Sequence, residues 1–135
     1  MLRGVSIIVC CYNSAFRLPE TLRHLAMQEV ASDIPWEVIV VNNASTDDTS
    51  VVATKEWGKH LCNTAFKVID QPIQGLSAAR KMGVEQAIYK YIIFCDDDNW
   101  LAPNYVQLAF EIMNDDPEIG VLGGQTEVVS TIQPP

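Results

Sequence analysis

The sequence predicts an α/β fold in which a mostly parallel sheet carries helices on both faces, and two observations lead to it. Short apolar runs alternate with segments whose apolar residues recur at helical spacing. The first two runs are nearly continuous in apolar residues, as strands covered on both faces are. The chain of 135 residues, 48% of them hydrophobic, is long enough for one domain with a core.

The first half of the chain predicts two strands, each followed by a helix. These are a strand over 5–10, a helix over 17–27, a strand over 36–41 and a helix from about 46 to 61. Leucines recur on one face of the first helix, and Pro19 suits its first turn. A polar loop precedes the second helix, for which either Ser45 or Thr46 is the predicted N-cap.

The second half repeats this order. It predicts a strand over 66–70, a helix over 76–89, a strand over 91–95 and a helix over 103–114. The strand that starts at Tyr91 is short, β-branched and aromatic, which favours a buried, central position in the sheet. Pro117 follows the last helix and ends it. The apolar segment 119–129 predicts one or two more strands, and residues 131–135 form a tail without a structural pattern.

Three consecutive aspartates, Asp96, Asp97 and Asp98, end the fourth predicted strand. Ligands bind at the carboxyl edge of open α/β sheets, where the polar loops after the first, second and fourth strands should converge. Ionising three adjacent carboxylates in a partly dry site is costly. A bound Mg²⁺ or Mn²⁺ would remove that cost, since both prefer oxygen ligands. The alternative from charge alone is an acidic turn exposed to water.

Other polar residues of these loops suit a nucleoside diphosphate. The ring of Tyr12 and the amides of Asn13, Asn42 and Asn43 fit a planar base and a ribose. The helix predicted from residue 76 offers free N–H groups to phosphate, and Arg80 lies one turn further along. The alternatives are core packing for the tyrosine, turn formation for the asparagines and a solvated charge for the arginine.

Charge and composition exclude several other classes of function. The net charge of −8 disfavours nucleic acid and anionic membrane surfaces as partners. The sequence has neither a Walker-type glycine loop nor a G-x-G-x-x-G motif after its first strand. The four cysteines show no metal-site or disulfide spacing, which indicates reduced thiols and a cytoplasmic protein. Membrane association of a longer parent protein is left open.

Four ordered segments resemble the donor-binding half of family 2 glycosyltransferases, which have the GT-A fold, a Rossmann-like arrangement. The segments are 5–13, 37–47, 75–80 and 94–98. The resemblance covers almost the whole chain and implies a nucleotide-sugar-binding domain over residues 1–130, followed by the tail. Complete members are usually much longer, and their acceptor half and catalytic base follow the matched region. The resemblance therefore implies a truncated chain, and no catalytic base is assigned.

The resemblance also implies roles for individual residues. The implied donor-binding residues are Tyr12, Asn13, Asn42, Asn43, Arg80, Asp96 and Asp97. Asp96 and Asp98 match the ends of the family's D-x-D motif and would hold Mn²⁺ or Mg²⁺, with Asp97 as the variable middle residue. Asn42 stands where the family often has an aspartate that contacts the base, which leaves the identity of the base open.

The implied reaction is metal-dependent transfer of a sugar from UDP or GDP to an acceptor hydroxyl, with inversion. A glycan or a lipid-linked acceptor would take part, as in polysaccharide biosynthesis. One alternative is a non-catalytic domain that only binds nucleotide sugars or partner proteins. Another is a nucleotidyltransferase of similar fold. Those enzymes usually have a glycine-rich loop after the first strand, and residues 10–14 contain no glycine.

Overall fold

The computed structural model describes residues 1–129, which form four strands and four helices in strict alternation. The elements are β1 (Leu2–Cys11), α1 (Leu18–Ala26), β2 (Trp36–Asn42), α2 (Thr49–Gly58), β3 (Ala65–Asp70), α3 (Leu76–Gln86), β4 (Tyr89–Asp96) and α4 (Tyr105–Asp115). The strands pair in parallel in the order β3-β2-β1-β4. The predicted α/β class with a parallel sheet is confirmed.

Helices cover both faces of the sheet. Side chains alternate between the two faces along each strand, so each face has its own apolar cluster. On one face, side chains of α1, α2 and α4, among them Leu22 and Phe110, form a large apolar cluster with alternate residues of β1 and β2. On the other face, α3 places Ala79 in a smaller cluster with Ile8 and Ile39. Gly83 allows α3 to lie close to β1, since a Cβ there would overlap the side chain of Ile8.

Within residues 1–129 β4 is an edge strand, which differs from the predicted buried, central position. Among the described residues it pairs only with β1, and Phe94 is 46% exposed. Its apolar residues satisfied the sequence pattern of a buried strand. Strand order, however, is set by pairing between distant segments, which periodicity does not report. The aspartates nevertheless lie at the carboxyl end of the strand as predicted, since Asp96 is the last residue of β4 and Asp97 and Asp98 follow it.

The segment 119–129 contains no strand, although its apolar residues predicted one or two. Val121 and Val128 are each more than 90% exposed. A strand requires a neighbour that accepts its backbone hydrogen bonds, and none of the described strands pairs with this segment. The predicted tail, residues 131–135, lies outside the described residues.

Several helix boundaries also differ from the prediction. α2 begins at Thr49 with Asp48 as its N-cap residue, because Ser45 and Thr46 hydrogen-bond to the loop after β1 instead. It ends at Gly58 rather than near residue 61. α3 ends at Gln86 rather than at residue 89, which already belongs to β4. No helix in residues 1–129 has the length and apolar character needed to cross a bilayer.

Candidate functional site

The loops that follow β1, β2 and β4 lie side by side at the carboxyl edge of the sheet. In the strand register, Cys11 is opposite Asn42, and Asn42 is opposite Asp70 on β3. On the other side of β1, Cys10 is opposite Asp96. The predicted convergence of the polar loops at one edge is therefore confirmed.

A cleft of about 190 Å³ opens between the loop after β1 and the start of α3. It is lined by Cys10, Cys11, Tyr12, Asn43, Gln74, Gly75, Leu76 and Ala79. The ring of Tyr12 is 47% exposed and is therefore accessible to a ligand in the cleft. Gly75 has a φ of 134°, a conformation that side-chain-bearing residues rarely adopt, so a glycine suits this start of α3.

The Asn43 side chain holds the loop between β3 and α3. It is 4% exposed, and its Nδ2 donates to the carbonyls of Gln71 (2.9 Å) and Ile73 (2.7 Å). Its Oδ1 accepts a hydrogen bond of 2.9 Å from the Gly75 backbone N–H. The amide of Asn43 thus contacts protein groups at both ends, and it forms one wall of the cleft through its position.

Asn13 joins the loops after β1 and β2 in a similar way. Its backbone has a positive φ of 48°, which asparagine tolerates better than most residues. Its Oδ1 accepts hydrogen bonds from the backbone N–H groups of Thr46 (2.7 Å) and Asp47 (3.3 Å). Its own N–H donates to the Ser45 hydroxyl at 3.0 Å. The two loops are therefore fixed against each other by this residue.

Asn42 retains one unsatisfied polar atom at the site. Its Nδ2 donates to Asp70 Oδ1 at 2.9 Å. Its Oδ1 is buried and has no hydrogen-bond partner among the described residues. A buried acceptor without a partner costs free energy, of the order of 1–3 kcal/mol. A ligand N–H that reached this oxygen would remove that cost.

Arg80 and Asp96 lie on the α3 side of the sheet, close to Cys10. The Arg80 guanidinium carbon is 5.3 Å from the centre of the Phe94 ring, and Phe94 precedes Asp96 by two residues on the same face of β4. Burial raises the pKa of the Cys10 thiol to about 11, an effect that Arg80 reduces and Asp96 reinforces. Arg80 and Asp96 therefore lie on the same side of the cleft, near Cys10.

Asp97 is turned toward α1 and engaged within the protein. Its Oδ2 lies 2.8 Å from Arg17 Nη2 and also accepts a hydrogen bond from the Ser14 hydroxyl. This hydrogen bond from Arg17 to Asp97 raises the pKa of the arginine above its usual value. Thr21 Oγ1 donates to the Asp97 carbonyl at 2.7 Å. One carboxylate oxygen of Asp97 is therefore engaged by protein groups, so Asp97 does not offer both oxygens for the predicted contact with the donor.

Asp96 and Asp98 supply the available carboxylates of the site. Both are exposed, and neither forms an ion pair within residues 1–129. Their oxygen donors fit Mg²⁺ or Mn²⁺. In the described part of the chain, no three histidine, cysteine or acidic side chains are arranged to hold a metal by themselves. A cation here would therefore take further ligands from a bound diphosphate and water.

Cys95 directly precedes these aspartates but does not add a metal ligand. Burial, together with the charges of Asp96, Asp98 and Asp97, raises the pKa of its thiol to about 12. The thiol is therefore protonated at neutral pH and does not act as a thiolate. Arg17 and Ser14 are the site residues that the sequence did not reveal. A lone arginine at a helix start gave no signal of its partner 80 residues away.

Residues 6–131 match the model of Glycosyl transferase family 2. Among curated proteins, the "Putative glycosyltransferase EpsH" of Bacillus subtilis (strain 168) is 32% identical over 131 residues, which are 95% of this chain and 36% of that protein.

Two solved structures are similar in fold and in sequence. S. aureus TarS 1-349 in complex with UDP-GlcNAc has a TM-score of 0.72 and 27% identity, over 83% of this chain and 31% of that one. The mannosyltransferase PcManGT from Pyrobaculum calidifontis, in complex with GDP-Man and Mn²⁺, has a TM-score of 0.70 and 28% identity. That match covers 89% of this chain and 34% of PcManGT. The chain thus spans about a third of the length of these relatives.

Proposed function

The chain belongs to glycosyl transferase family 2, and from this premise we propose that residues 1–130 are the sugar-donor-binding domain of a glycosyltransferase. The observation that carries the proposal is the shared position of three features at one sheet edge. They are an open cleft with an accessible aromatic ring, an exposed arginine and two exposed carboxylates. The donor would be a UDP- or GDP-sugar, the classes bound by the two similar structures.

In this proposal the base lies in the cleft against Tyr12, where a flat apolar ring faces the ligand. The Oδ1 of Asn42, which is buried in the structure, would accept an N–H from the base once the side chain turns toward the cleft. Uracil and guanine both carry a ring N–H, so this contact fits either. Asn13 and Asn43 shape the binding site through their loops, and their amides are occupied by protein groups.

The diphosphate lies between α3 and the aspartates. No side chain caps the start of α3 within the described residues, which leaves its first N–H groups for phosphate oxygens. Arg80 adds a positive charge one turn further along. Asp96 and Asp98 would hold Mn²⁺ or Mg²⁺, and PcManGT supports this choice because it was solved with Mn²⁺. Such a cation supplies Lewis-acid stabilisation of the departing diphosphate.

The acceptor, a glycan or lipid-linked hydroxyl, and the carboxylate base that deprotonates it belong to the remaining two thirds of such an enzyme. Attack by the acceptor from the side opposite the diphosphate would invert the anomeric carbon. We also place the protein in the cytoplasm, because all four cysteines are free and the sequence has no disulfide framework.

Calorimetric titration of the chain with UDP and GDP, in Mn²⁺ and in EDTA, tests the proposal. We expect one of them to bind, and more tightly with the metal. Asp98→Asn keeps the shape of the side chain but removes its charge, so it should abolish the metal-dependent gain. Asp48→Asn is the matched control, because Asp48 is also an exposed acid and lies outside the aspartate loop. Absence of binding by either nucleotide, or equal effects of the two variants, would contradict the proposal.

A further inference from the structure

Polar side chains along one side of α1 and the residues that flank it point to the loop after β4. Thr21 and His24 belong to α1, Arg17 is its N-cap residue and Gln28 follows its C-cap. The four are spaced by four, three and four residues, the spacing of one helical face. We call these four residues the polar face of α1. We propose that this polar face is a positioning device, which holds Asp96 and Asp98 in the orientation that a cation and a diphosphate require. This inference rests on the proposed function.

The contacts follow the loop in order. Arg17 and Thr21 bind the carboxylate and the carbonyl of Asp97, at 2.8 and 2.7 Å. The His24 ring stacks on Trp100, with a centroid distance of 5.4 Å and an interplanar angle of 2°.

The end of the loop is held by Gln28. Its Nε2 donates to the Ala102 carbonyl at 2.7 Å, and its Oε1 accepts a hydrogen bond of 3.1 Å from the Val106 N–H. Glu29 adds a backbone hydrogen bond of 2.7 Å to the Pro103 carbonyl. The loop is thereby fastened to α1 from its first residue to the start of α4.

Few contacts within the loop itself would fix its shape. Its internal backbone hydrogen bonds in the described structure are those from Asn99 to the Asp96 carbonyl and from Tyr105 to the Ala102 carbonyl. The conformation of the two available aspartates therefore depends on the contacts with α1. Thr21 is the most informative of these residues because it is fully buried. Its hydroxyl donates to the carbonyl of Asp97, the residue between Asp96 and Asp98.

Charge supports the same inference. Three adjacent carboxylates repel one another. Arg17 pairs with the middle one, so that the flanking two are the carboxylates left for a ligand. The neighbouring charges on α1, Glu20 and Arg23, are paired with each other at 2.8 Å and do not compete for Asp97.

The test compares Thr21→Val, which keeps the shape but removes the hydroxyl, with Thr21→Ser, which keeps the hydroxyl. Val38→Ala, a change in the core of β2, controls for general destabilisation. UDP and GDP affinities are measured in Mn²⁺ and in EDTA. Hydrogen exchange of the Asn99 amide reports the order of the loop without any ligand.

We expect Thr21→Val to weaken the metal-dependent affinity by about tenfold, the effect of losing roughly one hydrogen bond. Affinity in EDTA should change by less than about twofold, since the base and α3 contacts remain. Asn99 exchange should rise in Thr21→Val and return to the wild-type rate in Thr21→Ser. Val38→Ala should not change the ratio of the affinities in Mn²⁺ and in EDTA. It should also leave the exchange rate of the Asn99 amide unchanged relative to that of the other amides.

Unchanged Asn99 exchange in Thr21→Val, or an equal loss of affinity with and without metal, would overturn the positioning role. Failure of the proposed function is a different result: the wild-type chain would then bind neither nucleotide, while Asn99 exchange would still decide whether α1 fixes the loop.

Discussion

Gly83→Ala tests the close packing of α3 on the sheet. An alanine Cβ at this position would overlap Ile8 Cγ2 and would come within 3.2 Å of Cδ1 and 3.3 Å of Cγ1. Ile8 is 1% exposed and β-branched, so its side chain has little freedom to move away. The helix must therefore shift outward, and it carries Ala79 and Arg80 of the candidate site with it.

Two opposing effects set the size of the change. Alanine stabilises a helix interior by about 1 kcal/mol relative to glycine. Overpacking a core typically costs about 1–3 kcal/mol, and the overlap with Ile8 places this variant toward the upper part of that range. We therefore expect Gly83→Ala to lower the free energy of unfolding by about 1–2 kcal/mol. Urea denaturation followed by circular dichroism measures this value.

A double-mutant cycle with Ile8→Ala separates the overlap from other effects. Ile8→Ala alone should cost about 2–5 kcal/mol, because it leaves a cavity. In the Gly83→Ala background the new methyl group partly fills that cavity, so the second change should cost at least about 1 kcal/mol less. The reasoning would be refuted if Gly83→Ala stabilised the protein by about 1 kcal/mol and the two changes were additive.

Two further predictions concern titratable groups. Burial raises the pKa values of Cys11 and Cys95 to about 12, so iodoacetamide should label half-buried Cys62 first and label Cys11 and Cys95 only on unfolding. Mass spectrometry of successive time points measures the order of labelling. Early labelling of Cys95 would contradict the prediction. Burial raises the pKa of Asp47, but hydrogen bonds, chiefly from Thr49, outweigh this effect and lower the pKa. Asp47 should therefore stabilise the fold fully above its unfolded pKa of about 3.9. This stabilisation should be lost as the pH falls through the lower pKa of the folded state. Asp47→Asn should therefore flatten the loss of stability below about pH 4 in thermal unfolding, and an unchanged acid slope would contradict this assignment.

The order of the elements could be predicted from sequence because apolar periodicity is a local property. The approach of Asp96 to the loop after β1 followed from the rule that parallel strands end at one edge, and the register of Cys10 with Asp96 agrees with it. The edge position of β4 could not be predicted, since it depends on which distant strands pair. The same holds for the segment 119–129, whose apolar residues resemble a strand but have no described neighbour.

The site shows a second limit of sequence patterns. An asparagine in a loop offers the same amide to a ligand or to the backbone, and the loop conformation decides between them. Asn13 and Asn43 bind the backbone, whereas Asn42 keeps an unsatisfied oxygen. The engagement of Asp97 by Arg17 also depends on a contact between segments 80 residues apart. No motif encodes that pairing.

The loop amides have a consequence for how such a site can diversify. Asn13 and Asn43 maintain the framework, and a different residue, Asn42, carries a buried oxygen without a partner in the described structure. If the proposed contact between Asn42 and the base holds, framework and selectivity are separable, and a substitution at Asn42 should alter nucleotide preference while the architecture survives. A common scaffold serving both uridine and guanosine donors, as in TarS and PcManGT, is what such a separation would permit.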